Sequence, residues 1–236
     1  MKVDLKNYLD TRDRIREYEI NPGPVVTISR AFGCEATPVA IKLLKRIENA
    51  SDTRLNQNWK IISKEILNDA AKELHVNPVK IEKLMDSKGE STIGSMFSSL
   101  GNFYGLSDKK IIETLSDVIN HYAHQGKAVI IGRGGAYIAK KIPQSLHIKL
   151  QAPFDWRVNQ IQEKRKITKN EAKIAVMEMD TKRTAWVDHL THGKADLSVY
   201  DVIFNRQTMT DEMIVDTLIN LLLDKKMIAA PKLEMA

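Results

Sequence analysis

Five short apolar runs, at 25–28, 59–62, 128–131, 146–150 and 201–204, alternate with helical patterns, and no hairpin turn joins any two of them. Antiparallel neighbours can be linked by two-residue turns, whereas parallel ones need crossovers long enough to hold a helix. The alternation therefore predicts an α/β fold: a five-stranded parallel sheet flanked by helices on both faces. Ligands of such sheets bind beyond the carboxyl ends of the strands. The loops at 29–37, 63–65 and 132–135, and the segments after Leu150 and Phe204, are the places to look for chemistry.

The 236 residues suffice for one sizeable domain with, at most, a small helical insert. Lys and Arg number 36 against 30 Asp and Glu. That excess suits anionic small molecules such as nucleotides but is too mild to argue for nucleic acid. Cys34 is the single cysteine, so no internal disulfide can form, and a reducing cytoplasm is the expected location. The first residues lack the apolar core of a signal peptide, and no run is long enough to cross a membrane.

Residues 4–19 read as an exposed amphipathic helix stopped by Asn21-Pro22-Gly23-Pro24; self-association through it is left open. This divides the chain into an N-terminal helix at 1–23, a domain at 24–226 and a tail at 227–236. Pro38 suits the first turn of a helix, where its missing N–H does no harm. Ser63 is placed to cap a helix over 64–74, and Asn77-Pro78 opens another. The Ser/Gly/Phe-rich stretch 86–105 gives no decided pattern and reads as an insert. A helix at 108–125 ends at Gly126, and a short one closes near Pro143. Thr168-Lys169-Asn170-Glu171 is a capping-box pattern opening a long helix toward Leu190, and a last helix runs from Thr210.

The turn after the first strand exposes backbone N–H groups, and the helix at Pro38 points its positive end at the same place. Ser29, Arg30, Gly33, Cys34 and Thr37 are the candidate phosphate contacts. A full phosphate-binding loop adds more glycines, a Lys for the outer phosphates and a Ser/Thr for Mg²⁺. Here Gly33 is the one such glycine, and Glu35 adds a negative charge. From this loop alone an ordinary strand-to-helix turn is the plainer account, since one Gly and a Thr are a weak match to the motif. Gly132-Arg133-Gly134-Gly135 follows a buried strand, so Arg133 emerges at the ligand edge, where a guanidinium can grip phosphate with two parallel bonds. Between Gly126 and Leu190 there are thirteen Lys/Arg against six Asp/Glu. Arg157, Lys164, Arg165 and Lys166 sit on or just after one helix, with Asp180 and Arg183 on the next. Two helices carrying arginines and joined by a short turn suit a lid over 153–190. A solvated, ion-paired helix pair is the plainer alternative. His189 and His192 lack companions at metal-binding spacing, so no protein metal site is expected.

The order of these segments resembles the cytidylate kinase-like family of P-loop nucleoside monophosphate kinase relatives. The resemblance runs through Val26-Thr27-Ile28-Ser29-Arg30-Ala31-Phe32-Gly33-Cys34, Trp59-Lys60-Ile61-Ile62-Ser63-Lys64-Glu65, Val129-Ile130-Ile131-Gly132-Arg133-Gly134-Gly135, Ala152-Pro153-Phe154-Asp155-Trp156-Arg157, Met179-Asp180-Thr181-Lys182-Arg183 and Tyr200-Asp201-Val202-Ile203-Phe204-Asn205. It implies a three-layer P-loop kinase-like fold with a helical lid, Mg²⁺-ATP as phosphoryl donor and a nucleoside monophosphate or related small acceptor. By that resemblance Gly33 to Thr37 hold donor phosphates, and Ser63, Lys64, Gly132, Arg133, Asp180 and Arg183 meet the acceptor. Arg133, Arg157, Arg165 and Arg183 neutralise charge during transfer.

The departures are specific. Thr37 stands where relatives place Lys or Arg, and Pro38 where a hydroxyl would meet Mg²⁺. Val176 replaces an arginine of true cytidylate kinases, and Gly134 an Asp. Lys42, Arg30 or a lid arginine would have to supply the missing cation. The expected activity is nucleotide-dependent phosphoryl transfer. The alternative is a pseudokinase that binds nucleotide or another anion in a regulatory role.

Overall fold

A computed structural model describes residues 22–50, 54–75 and 108–230. The helices expected at 4–19 and from Asn77, and the insert at 86–105, lie outside the described residues. The elements in order are β1 (Val25–Arg30), α1 (Thr37–Ala50), β2 (Lys60–Ile62), α2 (Lys64–Glu73), α3 (Asp108–Gln125), β3 (Ala128–Ile131) and α4 (Gly135–Ile138). Then follow β4 (Ser145–Gln151), α5 (Phe154–Arg165), α6 (Lys169–Thr191), β5 (Val202–Asn205) and α7 (Asp211–Asp224).

The sheet is parallel throughout, in the order β2-β3-β1-β4-β5. With β1 at its centre, the chain passes to β2 and β3 on one side and to β4 and β5 on the other. That reversal opens a crevice at the carboxyl end of β1.

Strand alternation divides the core in two. Val26, Ile28, Val129, Ile131, Ile148 and Leu150 pack against Val39, Leu43 and Ile47 of α1 and Ile214, Leu218 and Leu222 of α7. Val25, Ala128, Ile130 and Ile62 face the other way, against Ile66 and Ala70 of α2 and Leu115 and Ile119 of α3. Met227 and Ile228 are buried in the first of these layers, so its packing continues past Lys226. The Asn56 side chain clips this segment down, donating to the Ala229 carbonyl at 3.1 Å and accepting its N–H at 2.7 Å.

A third, smaller core joins α5 to α6 through Val158, Ile161, Ala172 and Val176. This helix pair spans the 153–190 region for which the sequence suggests a lid. Its second helix opens with the expected capping box, Thr168 accepting from the Glu171 N–H and Glu171 from the Thr168 N–H. Val176 has no exposed surface and fills that core. An arginine there would have to lose its hydration.

Candidate active site at the carboxyl edge of the sheet

The loop from Ala31 to Ala36 is tied to the sheet at its start, where the Ala31 N–H donates to the Leu150 carbonyl at 2.9 Å. On the other side of β1, the Gly132 N–H donates to the Ile28 carbonyl at 3.0 Å. Both loops therefore extend the parallel ladders and leave the sheet side by side. A Cβ on Gly132 would collide with the Arg30 guanidinium, which lies against that backbone. Gly132, Arg133 and Gly134 all have positive φ, at 74°, 56° and 75°. The turn is thus a tight left-handed one, and Arg133 is held in a conformation that non-glycine residues adopt rarely. A Cβ on Gly134 would meet Leu190 Cδ1 and approach Trp186 Nε1 of α6, so a side chain here requires Leu190 to move, and the φ of 75° favours glycine.

The lid is seated on the first loop. The Phe32 N–H donates to Asp180 Oδ1 at 2.9 Å. Arg157, buried on α5, donates from Nη1 to the Phe32 carbonyl at 3.0 Å and to Asp180 Oδ2, and from Nε to the Ala152 carbonyl at 3.0 Å. Arg183 donates from Nη1 to the Arg30 carbonyl at 2.8 Å. The Phe32 ring packs on the lid core, with the Arg165 and Arg183 guanidinium carbons 5.1 and 5.4 Å from its centre. Gly33, with φ of 92°, lets the backbone pass against Arg157, where a Cβ would press on the Arg157 main chain. The Arg157 guanidinium is thus directed at two main-chain carbonyls and a carboxylate.

Glu35 does not block the loop. It is exposed and paired with Lys164 of α5. An open pocket of about 380 Å³ lies beside that pair, lined by Gly33, Glu35, Gln160, Ile161, Glu163 and Lys164. Thr37 is exposed at the start of α1, whose first turn carries no acidic residue to offset its positive end.

Three sequence expectations change. Lys42 is not a reserve cation for the loop, because Asp211, at 3.0 Å, and Glu212 of α7 hold its ammonium. Ser63 does not cap α2 with its side chain. Its own N–H is instead accepted by Glu65 Oε2 at 2.8 Å. Cys34 offers the loop neither thiol nor N–H. The N–H donates to the Ala31 carbonyl at 3.1 Å, and burial pushes the thiol up to about 11, against the opposing pull of Arg157 and Arg206. Lys64 opens α2 at the β2 edge.

The sequence reading missed Lys149, Phe32 and Arg206. Lys149 lies on β4 directly across from Ser29. Its signal was available: a lysine between Ile148 and Leu150 at the carboxyl end of a buried strand. Arg206, just beyond β5, donates to Asp211 Oδ1 at 2.6 Å and to the Met209 carbonyl at 3.2 Å, fixing the start of α7 beside the same edge.

The parallel sheet, the loop between β1 and α1 and the arginine-bearing lid together define a nucleotide kinase-like α/β protein. The sequence profile of the cytidylate kinase-like family matches residues 25–208, and the chain belongs to that family. No curated protein sequence matches it. Among solved structures, an uncharacterized protein from Eubacterium ventriosum aligns with a TM-score of 0.59 at 20% identity, over 85% of this chain and 98% of that one. Shikimate kinase from Acinetobacter baumannii, in complex with shikimate, aligns at 0.45 and 10% identity, over 89% and 98%. Shikimate kinase from Bacteroides thetaiotaomicron aligns at 0.46 and 12%, over 85% and 98%. The first likeness is one of fold alone. Membership of this family, on an α/β fold with a parallel sheet, supports a nucleotide-binding phosphotransferase in general.

Proposed function

We propose that this protein transfers the γ-phosphoryl group of ATP to a nucleoside monophosphate or a related small anionic acceptor. The observation that carries the reading is that the loop after β1 lies beside the 132–135 turn after β3, with Arg30 against Gly132 and the arginines Arg165 and Arg183 of the helix pair reaching Phe32 and the Arg30 carbonyl. Transfer of this kind asks little covalent help from a protein. An acceptor oxygen bonds to the γ-phosphorus as the bond to the β–γ bridging oxygen breaks, and ADP leaves with that electron pair. A phosphate acceptor is already ionised, so no general base is required. The task is to hold two polyanions in line and neutralise their charge.

The residues present fit a nucleoside triphosphate at the loop. Gly33 lines the open pocket beside Lys164, the first turn of α1 carries no acidic residue, and Arg165 lies over the Phe32 ring. Mg²⁺ would enter on the phosphates with most of its own water and neutralise charge between them. Among the described residues no cluster of three metal-ligating side chains exists.

A second reading, a nucleotide-sensing pseudokinase, is favoured by one contact. Asp180 already takes the Phe32 N–H that a phosphate would use. Calorimetric titration with Mg-ATP and each nucleoside monophosphate, paired with an ADP-release assay, separates the readings. ADP release with an acceptor supports transfer. Tight ATP binding without turnover, with activity gained in Thr37→Lys, supports the pseudokinase. No nucleotide binding up to millimolar concentration removes both.

A further inference from the structure

The loop lacks a lysine at the start of α1, and the nearby cations are largely engaged. Arg157 holds two carbonyls and Asp180, Lys164 holds Glu35, and Lys42 faces α7. Lys149 differs. Its backbone pairs with Ser29 of β1 on one side, near the carboxyl ends of β1 and β4, and with Ile203 of β5 on the other. Ile148 and Leu150 point into the α1–α7 layer, so Lys149 projects from the opposite face, the one whose core takes in Trp186 of α6. It is half-buried, and among the described residues its ammonium makes no hydrogen bond or ion pair. Its close neighbour is the Tyr200 ring, with Nζ 5.5 Å from the centre.

Burial pulls the Lys149 ammonium below its ordinary range, and the charge that opposes this is Asp180. Asp180 is the same carboxylate that accepts the Phe32 N–H and the Arg157 guanidinium. An internal anion therefore occupies a place addressed by a loop N–H, an arginine and the field of Lys149. A phosphoryl oxygen has the same charge and the same need for donors.

We propose that Lys149 supplies the side-chain cation of the phosphate loop, its ammonium leaving the Tyr200 ring to meet a phosphoryl oxygen of a bound polyphosphate. A lysine serves this role as a movable point charge on a flexible four-carbon stem. Its partial burial leaves it short of hydration, so an incoming anion meets a cation with little water to displace. The inference deepens the kinase reading and rests on it for the nucleotide, but the anion site itself does not.

The test uses the full chain, with inorganic tripolyphosphate and Mg-ATP as separate probes. Lysine ¹³Cε resonances are recorded during titration, with Lys149→Arg assigning the signal. The expected result is that tripolyphosphate shifts the Lys149 resonance, that Lys149→Met binds it at least about tenfold more weakly, and that Lys149→Arg recovers most of the loss. If phosphoryl transfer is observed, Lys149→Met should lose roughly 10²–10³ in kcat, with a smaller change in KM for ATP. An unmoved Lys149 resonance, or equal tripolyphosphate affinity in wild type and folded Lys149→Met, overturns the proposal. A tripolyphosphate response through Lys149 without Mg-ATP binding keeps the anion site and removes the kinase reading instead.

Discussion

Thr27 and His147 face each other across β1 and β4, with Thr27 Oγ1 and His147 Nδ1 2.8 Å apart. Both are buried, and His147 Nε2 has no partner among the described residues. A neutral imidazole leaves one polar atom unsatisfied there; an imidazolium would bury a charge as well. Burial therefore holds the His147 pKa below its ordinary value of 6.5, with Asp201 pulling it up and Lys225 pushing it down. The linkage has a definite sign. The unfolded chain takes up this proton as pH falls through about 6.5, while the folded chain resists. The contribution of a neutral His147 is thus complete above that pH and declines below it, until the lower folded value is reached. Asp201 acts in a separate, more acidic window. Burial alone would raise its carboxyl, but the His147 backbone N–H and the Lys225 ammonium together hold it below 3.8. Urea midpoints at pH 7.5 and 5.5 test the histidine. Wild type should lose stability over that interval, and His147→Asn should lose clearly less; equal slopes would assign the loss to other groups.

At the scale of elements, the decisive contact is the latch between the β1–α1 loop and the lid. Arg157 of α5 and Asp180 of α6 close around Phe32, and the Arg157 side chain is 10% exposed against 32% for Asp180. Removing one partner of a well-buried pair typically costs about 3–5 kcal/mol, and the partial exposure of Asp180 places Arg157→Met near the low end, at about 3 kcal/mol. For a chain of this size that is a fall in Tm on the order of 10 °C. Asp180→Asn keeps an acceptor for the Phe32 N–H and should cost less, while hydrogen exchange in the lid hairpin and in residues 31–36 rises in both variants. Scanning calorimetry and amide exchange read this; a Tm change under about 1 °C in Arg157→Met would show that the latch does not hold the lid. None of this coupling was legible in the chain. The strands and helices were, because apolar runs and capping residues are local signals: β3 begins and ends where the sequence placed it, and the Thr168 capping box forms. β1 runs two residues further than its apolar run, since Ser29 and Arg30 are drawn into the ladder by Lys149 and Leu150. The Ser63 cap failed because Glu65 reaches its N–H first. Arg157 and Asp180 were recognised as lid residues, but their partner lies more than a hundred positions away. Where α6 crosses the sheet decides that meeting, and no short pattern encodes it.

On the scale of the whole molecule, the two layers differ in what lies between helix and strand. The α1–α7 side is a closed apolar layer with Lys42–Asp211 and Arg46–Asp216 ion pairs along its rim. The side under α6 carries Thr27, His147, Lys149 and Tyr200, and its lid rests on polar contacts to the β1–α1 loop. A ligand that replaces those contacts should stabilise the lid side and leave the other unchanged. Anything that binds the folded chain alone adds about 2.7 kcal/mol when present at 100 times its Kd. With Mg-ATP at that excess, Tm should rise by several degrees, and amide exchange should slow in the loop 31–36, the 132–135 turn and the lid hairpin. The α1–α7 interface should exchange as before. A single-stranded RNA oligomer at the same charge concentration is the control for the basic composition, since nucleic-acid binding through diffuse charge falls steeply with salt. Protection by RNA that vanishes between 50 and 200 mM salt, with none from Mg-ATP, would move the function from the crevice to the surface. Protection by Mg-ATP spread evenly over both layers would mean that the lid side is not where the nucleotide sits.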